Sequence, residues 1–351
     1  MDNKKFAFES DEVSIAFVLT NGLGDCIMAK KVFNALVELE PNCIIDVFCV
    51  EEINKIFIES FYTDSKNLNL ILTLDEKSQN IFKQYDLALS VSGSITVVLN
   101  WVNVQRLQEM SSVLLKSAIE IDKHNKRNNH NLELSILRNL TMSRILNKNW
   151  SWFLSCNEAL PIRDDKINIP LLPEFKPQFD ALKLDKYITI YSDISRFGLP
   201  KAKAWPMRCL VEYVSRMKKR MPQIEIVQIG GGDMKIDNAD HHYLGVNLEL
   251  TKHILANSLL HVGCEGGLIH LATALGTKCL VLFGYTSIHY YSYLRNINLA
   301  SDICYPCMCV LKDGSFDYRA CVLGAKEPPC MLSHTPQAVC EVTCNYLKNK
   351  A

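Results

Sequence analysis

The sequence predicts an α/β protein of two Rossmann-like domains whose parallel sheets face a central cleft. Three observations carry this prediction. The 351-residue chain is longer than one hydrophobic core ordinarily needs. A strand, a glycine turn and a helix open its first half, and a similar α/β rhythm restarts after residue 186. Four prolines between Pro161 and Pro177 mark the connection, placing a linker at 166–186 between domains 1–165 and 187–351.

Each element follows from local pattern. Ser14 to Thr20 is an apolar run rich in strand formers, broken by Asn21-Gly-Leu-Gly24. From Asp25 to Leu39, the apolar positions Ile27, Val32, Leu36 and Leu39 fit one helix face. Pro41 ends that helix, and Ile44 to Val50 and Leu87 to Val91 read as further buried strands. Residues 100–152 read as helical and locally basic, with Lys116, Lys123, His124, Lys126, Arg127, Arg138, Arg144 and Lys148. In the second half Tyr187 to Ser192, Ile224 to Ile229, His261 to Cys264 and Cys279 to Phe283 are strands. Helices are expected over Met207 to Met221 and Leu268 to Leu275.

Composition narrows the function classes. Lys+Arg and Asp+Glu are both 38, so no global field draws the protein to nucleic acid or anionic lipid. No apolar run approaches the roughly 18 residues of a membrane span, and Met1 to Ser14 lacks the apolar core of a secretory signal. The expectation is a cytoplasmic protein with reduced thiols.

Three constellations can carry chemistry. Gly22-Leu-Gly24-Asp25 lies at a strand-to-helix turn, where glycines admit a ligand close to backbone and helix amides. Ile27 stands where a dinucleotide fingerprint wants a third glycine, so NAD is disfavoured. Asp25 suits either a helix N-cap or a general base at the end of the first strand. Arg196 to Pro206 holds Lys201 and Lys203 on a loop after a strand, suited to a diphosphate or to an ordinary surface. Glu265-Gly266-Gly267 opens a helix whose amides can face an anion, with His270 a turn further on as ligand group or core histidine. Gly230 and Gly231 end another strand and join this candidate set. The basic pair Lys126 and Arg127 is either a solvated helix face or part of an anionic acceptor surface.

In this order, Gly-Leu-Gly-Asp, Lys203-Ala-Trp205-Pro206, Glu265-x-Gly267-x-x-His270-Leu-Ala-x-Ala-Leu-Gly276-Thr and Leu282-Phe-Gly284 resemble glycosyltransferase family nine, the ADP-heptose:lipopolysaccharide heptosyltransferases. The resemblance runs from about Ser14 onward and is stronger in the second half. It implies a GT-B fold and inverting, metal-independent sugar transfer from a nucleotide donor such as ADP-heptose. The acceptor would be a glycan, a lipid-linked saccharide at the inner face of the membrane, or a protein. It implies Asp25 as catalytic base, with Gly22 and Gly24 beside the acceptor. Lys203 would contact donor phosphate with help from Lys201, and Gly266, Gly267 and His270 would line the donor loop. Glu265 departs from the family's aspartate, and Tyr285 from its proline. A nucleotide-sugar 2-epimerase and a non-catalytic nucleotide-sugar-binding relative share this architecture as alternatives.

Seven of the fourteen cysteines lie between Cys304 and Cys344. Cys304, Cys307, Cys321 and Cys330 are enough thiols for a tetrahedral zinc or iron site, with Cys309 a rival ligand and plain packing the competing explanation. Several members of the family carry a similar segment. Such a metal would be structural, far from the sugar-handling residues, and catalysis would need no cofactor.

Overall fold

The computed structural model describes residues 11–19, 22–50, 52–74, 78–92, 96–127, 132–192, 202–309 and 320–350. It divides into two units, Met1–Pro170 and Leu171–Ala351.

The first unit runs β1 (Ser14–Leu19), α1 (Leu23–Leu39), β2 (Ile44–Cys49), α2 (Glu52–Tyr62), β3 (Leu68–Thr73), β4 (Leu87–Ser92) and β5 (Thr96–Val102). It continues with α3 (Val104–Met110), α4 (Ser112–Arg127), α5 (Leu132–Leu146) and α6 (Trp150–Leu154). The sheet order is β3-β2-β1-β4-β5. β1 lies at the centre, parallel to both neighbours, with Phe17 beside Val47 and Leu89. All six of its residues are buried, the mark of a strand covered on both faces. One edge of this otherwise parallel sheet is reversed, since β5 runs antiparallel to β4. Only 93–95 separate β4 from β5, whereas a parallel return needs a crossover of a dozen or more residues.

The second unit contains α7 (Lys176–Asp180), β6 (Tyr187–Ile190), α8 (Met207–Arg220), β7 (Glu225–Gly230), β8 (His241–Leu244), α9 (Leu248–Ala256) and β9 (His261–Cys264). Then follow α10 (Gly267–Ala274), β10 (Cys279–Phe283), α11 (Ile288–Tyr291), β11 (Ile297–Ala300), α12 (Pro329–Leu332) and α13 (Pro336–Lys348). Its sheet is parallel throughout, in the order β11-β10-β9-β6-β7-β8. Renumbered within the unit this is 3-2-1-4-5-6, the doubly wound order, whose strand sequence reverses between β6 and β9.

One core joins β6, β7, β9 and β10 to Leu210, Tyr213, Val214 and Met217 of α8 and to Val339, Cys340, Cys344 and Leu347 of α13. Cys340 and Cys344 face each other at 3.9 Å, one helical turn apart, and pack on Met217. Much of the expected linker is folded. His253 of α9 donates to Leu172 O at 2.8 Å, and its ring stacks on Phe179 of α7 at 6.2 Å.

β3, β8 and β11 gave no strand signal in the sequence. All three are edge strands with few or no buried residues, so they lack the continuous apolar run that betrays the central ones.

Candidate functional site

The strand reversal between β6 and β9 puts the segments after both strands at one crevice, where open α/β sheets bind ligands. Lys203 follows β6, and Glu265-Gly266 follows β9.

Lys203 is held there by its neighbour Trp205, which is buried at 3% exposure. The indole Nε1 donates to His334 O at 3.0 Å, and the backbone N–H of Trp205 meets Cys264 Sγ at 3.2 Å. His334 in turn donates through Nε2 to Phe283 O at 3.0 Å, so the Lys203 segment is tied to the end of β10. Pro206 then caps α8, where a missing N–H costs nothing. The Lys-x-Trp-Pro pattern thus combines an anchor, a helix start and one directed cation.

Glu265 divides its two oxygens between partners. Oε2 lies 3.7 Å from Lys203 Nζ, and Oε1 lies 3.3 Å from His270 Nε2. His270 Nδ1 is 2.7 Å from the Tyr293 hydroxyl, and both rings are buried. Burial pushes the Glu265 carboxyl up, but the Lys203 charge and the His270 contact outweigh it and hold the group at about 2. It is therefore a fixed anion at neutral pH.

Gly266 is the N-cap of α10, with no side-chain cap over the first amides of the helix. A Cβ on Gly266 would lie 2.8 Å from Tyr191 Oη and 3.3 Å from Lys203 Nζ. Gly263 is equally restricted, since its Cβ would meet the Tyr191 ring at 2.7 Å. Tyr191, just past β6, lies close against both glycines and stacks on His261 at 5.9 Å. Glycine at 266 is what lets the lysine ammonium approach the start of the helix.

Lys203, Glu265, Gly266, Gly267 and His270 are therefore brought together. Gly230 ends β7, the next strand, and Gly231 follows it; Gly230 has a φ of +144° that disfavours a side chain. Lys201 and Arg196 lie outside the described residues.

In the first unit, α1 begins at Leu23 and its N-cap is Gly22. Asp25 is thus not the N-cap but sits in the first turn, half-buried. A Cβ on Gly22 meets nothing within 4 Å, so packing does not explain that glycine. Lys126 pairs along its own helix with Asp122 at 2.6 Å, as a solvated helix face would. Arg127 ends the same helix, exposed to solvent.

All fourteen cysteines are free thiols. Among the described residues no three His, Cys, Asp or Glu are grouped to hold a metal ion. The thiols of the cysteine segment nevertheless feel one another. Burial pushes Cys330 up to about 11, and Cys304, Cys307 and Cys321 add to it. A hydrogen bond from Cys309 lowers Cys307 to about 6 and raises Cys309 itself. The donor chemistry suits a thiophilic ion, while the positions as they stand do not close around one.

The expectation that this segment lies far from the sugar-handling residues needs correction. Cys307, Met308 and Cys309 pack with Ala202, the neighbour of Lys203, and with Tyr285. Met308 N–H donates to Tyr285 O at 3.0 Å. A Cβ on Gly284 would strike Met331 and lie 3.2 Å from Cys330 Sγ. Tyr285 itself is buried under this contact.

Tyr191 and Tyr293 had no sequence signature as site residues. Tyr293 is 23 residues from the histidine it touches, a distance that only the fold closes.

Acid sensitivity follows from two depressed groups. His261 is fully buried and held neutral, lowered by burial to about 3 from 6.5, and its Nε2 has no hydrogen-bond partner. The unfolded chain therefore takes up the His261 proton first, and stability is lost as pH falls from about 6.5 toward 3. Glu265 adds a second loss from about 4.5 toward 2. Urea denaturation across this range should show both, and His261→Gln should flatten the upper part.

The two units, each an α/β layer on a largely parallel sheet, define the GT-B class of fold. No protein-family model and no curated protein matches the chain. Among solved structures it is similar to a glycosyl transferase family 9 protein of Veillonella parvula, with TM-score 0.58, 14% identity, and 98% of this chain and 99% of that one covered. The ADP-heptose LPS heptosyltransferase II of E. coli matches with TM-score 0.58, 15% identity, and coverage of 97% and 100%. The iron-containing dodecameric glycosyltransferase TibC of enterotoxigenic E. coli matches with TM-score 0.62, 12% identity, and coverage of 97% and 78%. At these identities the likeness is one of fold.

Proposed function

We propose that the protein is a glycosyltransferase that moves a sugar, heptose from ADP-heptose by preference, onto a glycan, lipid-linked saccharide or protein. The observation that carries this reading is the meeting of Lys203, Glu265 and Gly266 beside the start of α10, at the strand reversal of a doubly wound sheet. A cation and helix amides suit a diphosphate. A carboxylate that stays ionised suits sugar hydroxyls as an acceptor of hydrogen bonds. Lys203, with Lys201, would stabilise the departing diphosphate. Asp25 would take the acceptor proton as the hydroxyl attacks the anomeric carbon from the opposite face, inverting it. No step requires a metal. The fold likeness to heptosyltransferases supports the donor class.

The protein would work in the cytoplasm, meeting a lipid-linked acceptor at the membrane surface. No described helix is long and apolar enough to cross a membrane. Incubation with a panel of sugar nucleotides tests the reading. Release of ADP, accelerated by a saccharide acceptor to which the sugar becomes joined, is expected. Conversion of the sugar to an epimer would point to the epimerase class, and binding without turnover to a non-catalytic relative.

Cys304, Cys307, Cys321 and Cys330 would take up zinc or iron by drawing their thiols together, with Cys309 as the alternate ligand. Support comes from their mutual electrostatic effect and from the iron in TibC. Elemental analysis should find about one ion per chain. Its removal by a chelator should lower the melting temperature and weaken donor binding together, because the segment packs on Ala202. Full stability with all four thiols titratable would return these residues to packing.

A further inference from the structure

We propose that Tyr293 is a positioning residue that holds the His270 ring in place by donating to its Nδ1 and, through that ring, fixes the orientation of Glu265. The inference rests on the donor-site reading above for its consequence, though not for its chemistry. An ionised carboxylate only accepts hydrogen bonds, so the His270 nitrogen facing it must carry the proton. That nitrogen is Nε2, 3.3 Å from Glu265 Oε1. In a neutral ring Nδ1 is then a bare lone pair, and the Tyr293 hydroxyl at 2.7 Å is the donor that satisfies it.

The tyrosine is itself fixed. Its carbonyl accepts from Asn296 N–H at 3.0 Å and from Asn298 Nδ2 at 2.9 Å. Asn296 also donates to Thr273 of α10 at 2.8 Å and accepts from Cys279 N–H at 3.1 Å. The stretch between α11 and β11 is thus bound to the helix that carries His270. With Oε1 of Glu265 held by the ring, Oε2 is left toward Lys203. His270 has a buried partner at each nitrogen, so its part is to aim the carboxylate rather than to touch the donor.

Nitrogen-15 NMR of the imidazole rings in the intact protein tests the tautomer directly. His270, assigned through His270→Gln, should carry its proton on Nε2 with its Nδ1 resonance shifted by the Tyr293 hydrogen bond, and Tyr293→Phe should remove that shift while Nε2 keeps its proton. Titration with ADP-heptose should show about tenfold weaker binding for Tyr293→Phe, the effect of one buried hydrogen bond. His270→Gln offers Glu265 a carboxamide N–H that needs no partner to fix it. In that background Tyr293→Phe should change affinity less than about twofold.

A wild-type ring protonated on Nδ1 or on both nitrogens overturns the proposal. An unchanged Nδ1 resonance in Tyr293→Phe does the same, as does an equal loss of affinity in both backgrounds. If the wild-type protein binds no sugar nucleotide, the proposed function fails, and the NMR result alone decides the role of Tyr293.

Discussion

Asp25→Asn is expected to lower sugar transfer by about 10²–10⁴-fold, the usual range for losing a general base, while donor affinity stays within about twofold. The substitution keeps size and shape and removes the charge and, with it, the ability to accept a proton. Its structural effect should be small because Asp25 is not the helix cap. Gly22 holds that position, and Asp25 lies in the first turn with part of its surface exposed. The loss of a favourable charge near a helix N-terminus is worth only about 0.3–1 kcal/mol. Parallel measurements of transfer under saturating donor, donor affinity and melting temperature separate the two roles. Wild-type turnover in Asp25→Asn would make the residue a helix-dipole partner and nothing more.

Lys203→Ala should cost about 10²–10³-fold in kcat/KM, comparable to removing a donor aimed at a developing charge. It should also destabilise the protein. Glu265 is buried, and the lysine is the cation that keeps it ionised against its surroundings. Breaking a buried ion pair from one side leaves an uncompensated charge. Adding Glu265→Gln to Lys203→Ala removes that charge and should recover much of the lost melting temperature without recovering transfer. Recovery of both would mean that the pair serves the fold alone. Lys203→Arg should be poorly tolerated, because the fork of its guanidinium needs room where the ammonium already lies close to Gly266.

Much of the architecture could be read before any coordinates. The central strands β1, β2, β6, β9 and β10 are buried on both faces, so each left an apolar run a few residues long. The fragments Lys203-Ala-Trp205-Pro206 and Glu265-Gly-Gly-Leu-Ile-His270 were visible because they are local. A helix start, a backbone approach and a charge each depend on residues a few positions apart. Edge strands, the reversal of β5 and the start of α1 at Leu23 were not visible in this way. They depend on which neighbours the chain meets rather than on its local periodicity.

The amino-acid sequence by itself determined the two α/β halves and the residue types available for phosphate, carboxylate and thiol chemistry. Only the tertiary structure decided which of these residues meet. Tyr191 lies close against Gly263 and Gly266, Tyr293 reaches His270, and Cys307 to Cys309 pack beside Ala202. The reason is that each contact joins segments from different strand ends, and the order of strands in the sheet sets which ends are adjacent. That order is chosen by the burial of the whole core, a sum over all strands at once, which no short stretch of sequence contains.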